Sequence, residues 1–157
     1  MSPLIERKSG KRTAIAIETV DMAGMAAAEE RLGPVHKQWL VSTAFRPTPG
    51  AVLVLPDVKG TISRILVGVD RADPIAALGS LPTRLPEGLY ELADEGVIED
   101  RDLLALGWAL GAYRFDRYRT RARPTAQLVV DAATLRSVQG NDGTADIARL
   151  WVLYARA

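Results

Sequence analysis

Three groups of side chains in this sequence are of types that do chemistry: a lone histidine, an acidic cluster and an arginine run. His36 is the only histidine of the chain. As a general base or metal ligand it would need an oriented partner, and its neighbours Lys37 and Gln38 supply none. A structural place near the start of a helix is the expectation. Asp94, Glu95, Glu99, Asp100 and Asp102 crowd one short stretch. A divalent cation would want such oxygens to converge, yet their spacing is not that of a calcium loop. At the start of a helix each carboxylate gains about 0.3–1 kcal/mol from the helix dipole, and the sequence favours that role. The segment RFDRYRTRAR sets Arg114, Arg117, Arg119, Arg121 and Arg123 against Asp116 alone. Interleaved with Tyr113, Phe115 and Tyr118, these cations could hold phosphates and stack on bases. At the C-terminal end of a helix they would instead complement the dipole and cover the edge of a core. Helix-end or interface pairing is the expectation, and a nucleic-acid-binding module is the alternative.

Much other chemistry is excluded. The chain has no cysteine, so a thiol nucleophile, a disulfide framework and Cys-ligated zinc all fall away. One histidine rules out a multi-His metal site supplied by this chain alone. With 20 Lys+Arg against 19 Asp+Glu, the net charge of +1 creates no global field to draw in nucleic acid or an anionic membrane. No Walker sequence, nucleophile elbow or H-E-x-x-H pair occurs. The basic N-terminus is followed by no long apolar core, so it does not read as a secretory signal. The longest mostly apolar run, residues 103–113, is about half the roughly 20 residues that a membrane-spanning helix needs. A cytoplasmic location is the default.

The elements that must position these groups follow from periodicity and punctuation. With 157 residues, 48% apolar and 25% charged, the composition is that of one globular domain. Residues 1–12 are polar and read as loose. Residues 13–20 (TAIAIETV) read as a strand, and residues 21–31 as a short helix broken by Gly33-Pro34. Residues 35–44 form a second helix, with Val35 and Trp39 on one face and Leu40 and Phe45 nearby. Residues 51–55 (AVLVL) and 61–69 (TISRILVGV) predict a β-hairpin. Asp73-Pro74 opens a brief helix, and GLYEL at 88–92 is one more strand. The clearest helix runs from residue 99 or 100 to about 118. Leu103, Leu106, Leu110 and Tyr113 recur at spacings of three and four, with Leu104 and Trp108 beside them. Gly107 and Gly111 each weaken that helix by about 1 kcal/mol relative to Ala, so a close backbone approach should compensate. A last strand at 125–131 (TAQLVVD) precedes a last helix at 145–157. This interleaving predicts an α/β fold, a mixed β-sheet flanked by helices.

The segment LGWALGAYRFDRYRTRARPTAQLVV, residues 106–130, resembles the N-terminal domain of the leucyl (cytosol) aminopeptidase family, in its shorter bacterial form. The resemblance extends upstream through Pro49-Gly50, AVLVLPD at 51–57, RILVGVD at 64–70 and LPTRLPEGLYEL at 81–92. It implies a macro-domain-like sandwich and a two-domain, oligomeric metallopeptidase that removes N-terminal amino acids. In that family the divalent metals, zinc or manganese, belong to a C-terminal catalytic domain around an N-T-D-A-E-G-R motif. This sequence contains no such motif, so no catalytic or metal residue carries over to it. The chain then reads as an N-terminal accessory and assembly domain. Residues 1–34 form its first strand and short helix, residues 13–140 the α/β domain, and residues 141–157 a connecting helix. Its expected partners are the catalytic domain of the same family and further copies of the full-length protein, with no membrane. On the connecting helix Ile147, Leu150, Trp151 and Tyr154 form one apolar stripe, read as partner-facing.

Overall fold

The computed structural model describes residues 3–7, 13–118 and 126–139. Strands β1 (Leu4–Glu6), β2 (Ile15–Val20), β3 (Val52–Pro56), β4 (Ile62–Gly68), β5 (Gly88–Leu92) and β6 (Ala126–Val130) form one sheet. Its order is β1-β6-β5-β2-β4-β3, and all neighbours are parallel except the β3–β4 hairpin. The sequence-predicted α/β fold with a mixed sheet is therefore the fold observed. The hairpin closes on an Asx turn, in which Asp57 Oδ1 accepts from the backbone N–H groups of Lys59 and Thr61 at 2.8 and 3.0 Å.

Strand alternation divides the apolar residues between the two faces of the sheet. On one face, Ile17, Ile65, Val67, Tyr90, Leu92 and Leu128 meet Leu104, Ala105 and Trp108 of α4 (Arg101–Tyr118). The same core takes in Leu81 of α3 (Leu81–Arg84) and Val138 of α5 (Ala132–Gln139). On the other face, Val20, Leu53, Leu55 and Leu66 pack with Ala28 of α1 (Met25–Glu30) and Leu40 of α2 (Pro34–Thr43). Burial on both faces explains why the central strands read as nearly continuous apolar runs.

The long helix sits as close to its neighbours as its glycines allow. A Cβ on Gly107 would lie 1.9 Å from the carbonyl oxygen of Ile75, and one on Gly111 1.8 Å from that of Gly79. The close approach expected from the two glycines is what the structure shows. The deepest residues of α4 are Leu104, Ala105, Leu106 and Trp108, whereas Leu103 and Leu110 are only half-buried. The inward stripe is thus rotated slightly from the one that leucine spacing alone suggests, because the small residues of the helix face the sheet as well.

Several expectations change. Residues 4–6, read as loose, form β1, whose Leu4, Ile5 and Glu6 pair with Leu128, Val129 and Val130. A three-residue strand carries too little pattern to be seen in sequence, and its distant partner decides it. The opening at Asp73-Pro74 yields only a 3-10 turn, Ala76–Leu78, with Asp73 Oδ1 accepting from Ala76 N at 3.2 Å. Helices α3 and α5 were not expected from the sequence. In α2 it is Leu40 that turns inward, while Val35 and Trp39 remain on the surface. The helix expected at 145–157 lies outside the described residues.

Candidate functional site

The carboxyl ends of parallel strands are where α/β sheets place their ligand crevices, at the point where chain direction across the sheet reverses. Here that point lies between β2 and β5: the chain leaves β2 toward β4 and β3, and leaves β5 toward β6. Two adjoining cavities open there. One of about 290 Å³ is lined by Ile17 and Thr19 of β2, Leu92 and Ala93, and Ile98, Glu99, Arg101 and Leu104. The other, about 350 Å³, lies between Arg7, Val130, Asp131 and Thr134. Asp94 and Arg101 line both and form an ion pair between them.

The acidic cluster is dispersed among separate tasks. Asp100 Oδ1 accepts from Leu103 N at 3.1 Å and so caps α4, with Asp102 in the first turn, as the helix-dipole reading expects. Asp94 pairs instead with Arg101, and Glu95 with Arg64 at 3.4 Å. Asp131, not singled out from sequence, caps α5 by accepting from Thr134 N at 2.7 Å. That hydrogen bond holds its carboxyl below the ordinary range. The two helix N-termini in the crevice, which in phosphate-binding folds meet an anion, are thus already filled by the chain's own carboxylates. Among the described residues no group of three or more His, Cys, Asp or Glu could hold a metal ion. The divalent metals implied by the resemblance do not fit these residues.

A charged centre that sequence reasoning missed lies on the opposite face. Glu18 of β2 is fully buried, with one carboxylate oxygen on Arg31 and the other on Arg64, at 3.0 Å from Nε and 2.6 Å from Nη2. Arg64 also reaches Glu95, so the cluster ties α1, β2, β4 and the loop after β5 together. A buried carboxylate must be paired, and both Glu18 oxygens are satisfied. The arrangement is a structural pin. An acid inside an apolar strand was the available signal, but nothing local names its partners.

His36 keeps the structural place expected of it. Its Nε2 lies 3.0 Å from the Pro56 carbonyl and 2.9 Å from Ser63 Oγ. Because a carbonyl only accepts, the proton is assigned to Nε2. The ring fastens α2 to the hairpin, with partners drawn from β3 and β4 and not from adjacent sequence. Arg114 and Arg117 lie on the last turns of α4. Arg119, Arg121 and Arg123 lie outside the described residues, as do Ile147, Leu150, Trp151 and Tyr154.

Asp21 contributes to the acid limb of stability. The hydrogen bond from Arg71 Nε, 2.5 Å from Asp21 Oδ2, holds the Asp21 carboxyl below its ordinary value. A depressed folded-state value contributes stability above the unfolded carboxylate value, and that contribution is lost as pH falls through the folded one. Urea midpoints should therefore fall on acidification between about pH 5 and pH 2, and fall less steeply in Asp21→Asn. Equal pH slopes in the two proteins would remove Asp21 from this account.

Comparison with known proteins places the fold. The profile of the family described as M17 aminopeptidase, N-terminal domain, matches residues 15–131. A search of curated proteins finds no match. Among solved structures, the cytosol aminopeptidase from Coxiella burnetii superposes with a TM-score of 0.72 and 25% identity, over 83% of this chain and 29% of that one. The bottromycin maturation enzyme BotP shares the fold, with a TM-score of 0.51 and 22% identity over 76% of this chain and 28% of its own. The present chain therefore spans less than a third of either solved chain. With the family profile covering most of its length, including every strand but β1, this chain belongs to the M17 aminopeptidase N-terminal domain family.

Proposed function

We propose that this chain is a non-catalytic accessory and assembly domain of a leucyl-aminopeptidase-like metallopeptidase acting in the cytoplasm. The single observation that carries this reading is the family match over residues 15–131 to the N-terminal domain. The crevice chemistry agrees with it, since Asp100 and Asp131 cap helices and Asp94 is ion-paired with Arg101. In this reading the domain packs on a catalytic domain of the same family, helps shape access to its active site and supports oligomerisation. The metals and the peptide hydrolysis belong to the catalytic domain.

The test is direct. The purified chain should release no amino acid from leucine p-nitroanilide, with or without added manganese or zinc. Two-metal hydrolysis needs ions about 3.5–4 Å apart, held by several convergent ligands. Chelator-sensitive turnover by the pure chain would show that it supplies those ligands itself, and the accessory reading would be lost.

A further inference from the structure

The crevice between β2 and β5 is preformed and sets charges of both signs above an apolar floor. The segment after β5 is pinned to β2: Val97 N donates to the Thr19 carbonyl at 2.9 Å, and Ile98 N to Thr19 Oγ1 at 3.2 Å. Gly96 lets the two touch, since a Cβ there would lie 2.6 Å from Thr19 Oγ1. Beneath this rim Ile17, Leu92 and Leu104 line the cavity of about 290 Å³. Ligand pockets run from about 300 to 1,000 Å³, so an occupant here is small. At the mouth Arg101 pairs with Asp94, whose side chain is 92% exposed. Exposed ion pairs contribute little to stability, so a ligand opens this one at small cost. Glu99 lines the same cavity.

We propose that this crevice binds one free α-amino acid with an aliphatic side chain. Its carboxylate takes the place of Asp94 on Arg101, whose guanidinium fork fits two oxygens. Its ammonium meets the displaced Asp94 and Glu99, and its side chain lies over Ile17, Leu92 and Leu104. The charges disfavour simpler ligands. Both helix N-termini are filled, by Asp100 and Asp131, so a phosphate finds Arg101 among carboxylates and no helix end to meet it. A plain organic cation finds Arg101 in its way, and among the described residues no group of three or more His, Cys, Asp or Glu could hold a metal. A zwitterion keeps both members of the Asp94–Arg101 bridge paired when the bridge opens. A free amino acid is also what removal of an N-terminal residue releases. That the domain thereby senses product rests on the accessory-domain reading above, whereas the binding itself rests on the crevice.

Backbone amide shifts of the 157-residue chain, followed by NMR during titration with leucine, test this. Saturable shifts should centre on residues 92–101. Affinity should fall about tenfold or more for leucinamide, which lacks the carboxylate, and for N-acetylleucine, which lacks the ammonium. Glycine, which lacks the side chain, should lose about fourfold per missing methylene. In Asp94→Asn, a change at an exposed position, leucine should bind more weakly while shifts outside the crevice stay as they are. Equal affinity for leucinamide or N-acetylleucine would reduce the site to a single charge and overturn the proposal. Tighter binding of inorganic phosphate would mark an anion site and overturn it as well. No saturable shift with leucine would overturn it and leave the accessory reading standing, since the p-nitroanilide assay tests that reading separately.

Discussion

Trp108→Ala is expected to destabilise the domain by about 3–5 kcal/mol, the range for removing a large aromatic from a packed core. Trp108 is fully buried at the centre of α4, and its ring lies 6.1 Å from that of Tyr90 on β5. Its indole N–H donates to the Pro3 carbonyl at 3.1 Å, just ahead of β1. Truncation therefore leaves a cavity beneath the sheet and removes one of the two hydrogen bonds that the Pro3 carbonyl accepts, the one from Leu128 N–H at 2.9 Å remaining. With total stabilities of about 5–15 kcal/mol for native domains, that is a large fraction. Urea unfolding of the two proteins measures it. A shift below about 1 kcal/mol would mean that the site collapses without loss and that the Trp108 contacts contribute little.

Gly111→Ala is expected to destabilise by about 3 kcal/mol, at the upper end of the overpacking range. Two effects oppose each other here. Alanine would favour an isolated helix by about 1 kcal/mol. In the folded domain the new Cβ would sit 1.8 Å from the Gly79 carbonyl oxygen, a backbone atom with no rotamer to escape into. Relief requires α4 to move off the segment before α3, which also disturbs the packing of Leu78 and Leu81. The clash exceeds the propensity gain, so the sign is destabilising. Gly107→Ala faces the Ile75 carbonyl in the same way and should behave alike. Unchanged or raised urea midpoints in both variants would show that α4 does not pack this closely.

Both predictions concern the frame and not a reaction centre, which accords with what the crevice contains. Its helix ends are capped by Asp100 and Asp131, and Asp94 is paired with Arg101.

Local chemistry written into the sequence determined much of this protein. Val- and Ile-rich runs bounded by Pro, Gly and Asp specified β2, the β3–β4 hairpin and β6, and the short GLYEL segment marked β5. Three- and four-residue leucine spacing specified α4, and two glycines inside it announced a close contact. The motif around residues 106–130 indicated the family that the profile match bears out. Only the tertiary structure decided which strands are neighbours, and β1 exists because β6 is there to pair with it. It also assigned the partners of the buried charge and the histidine. Glu18 meets cations 13 and 46 residues away, and His36 meets acceptors 20 and 27 residues away. Periodicity reports which side of an element is apolar, but an ion pair across a sheet depends on strand order, which no local pattern encodes. For the same reason the apolar residues of α2 were visible in the sequence, while which of them the fold buries was not: only Leu40 meets the sheet face that strand order builds from Leu53, Leu55 and Leu66.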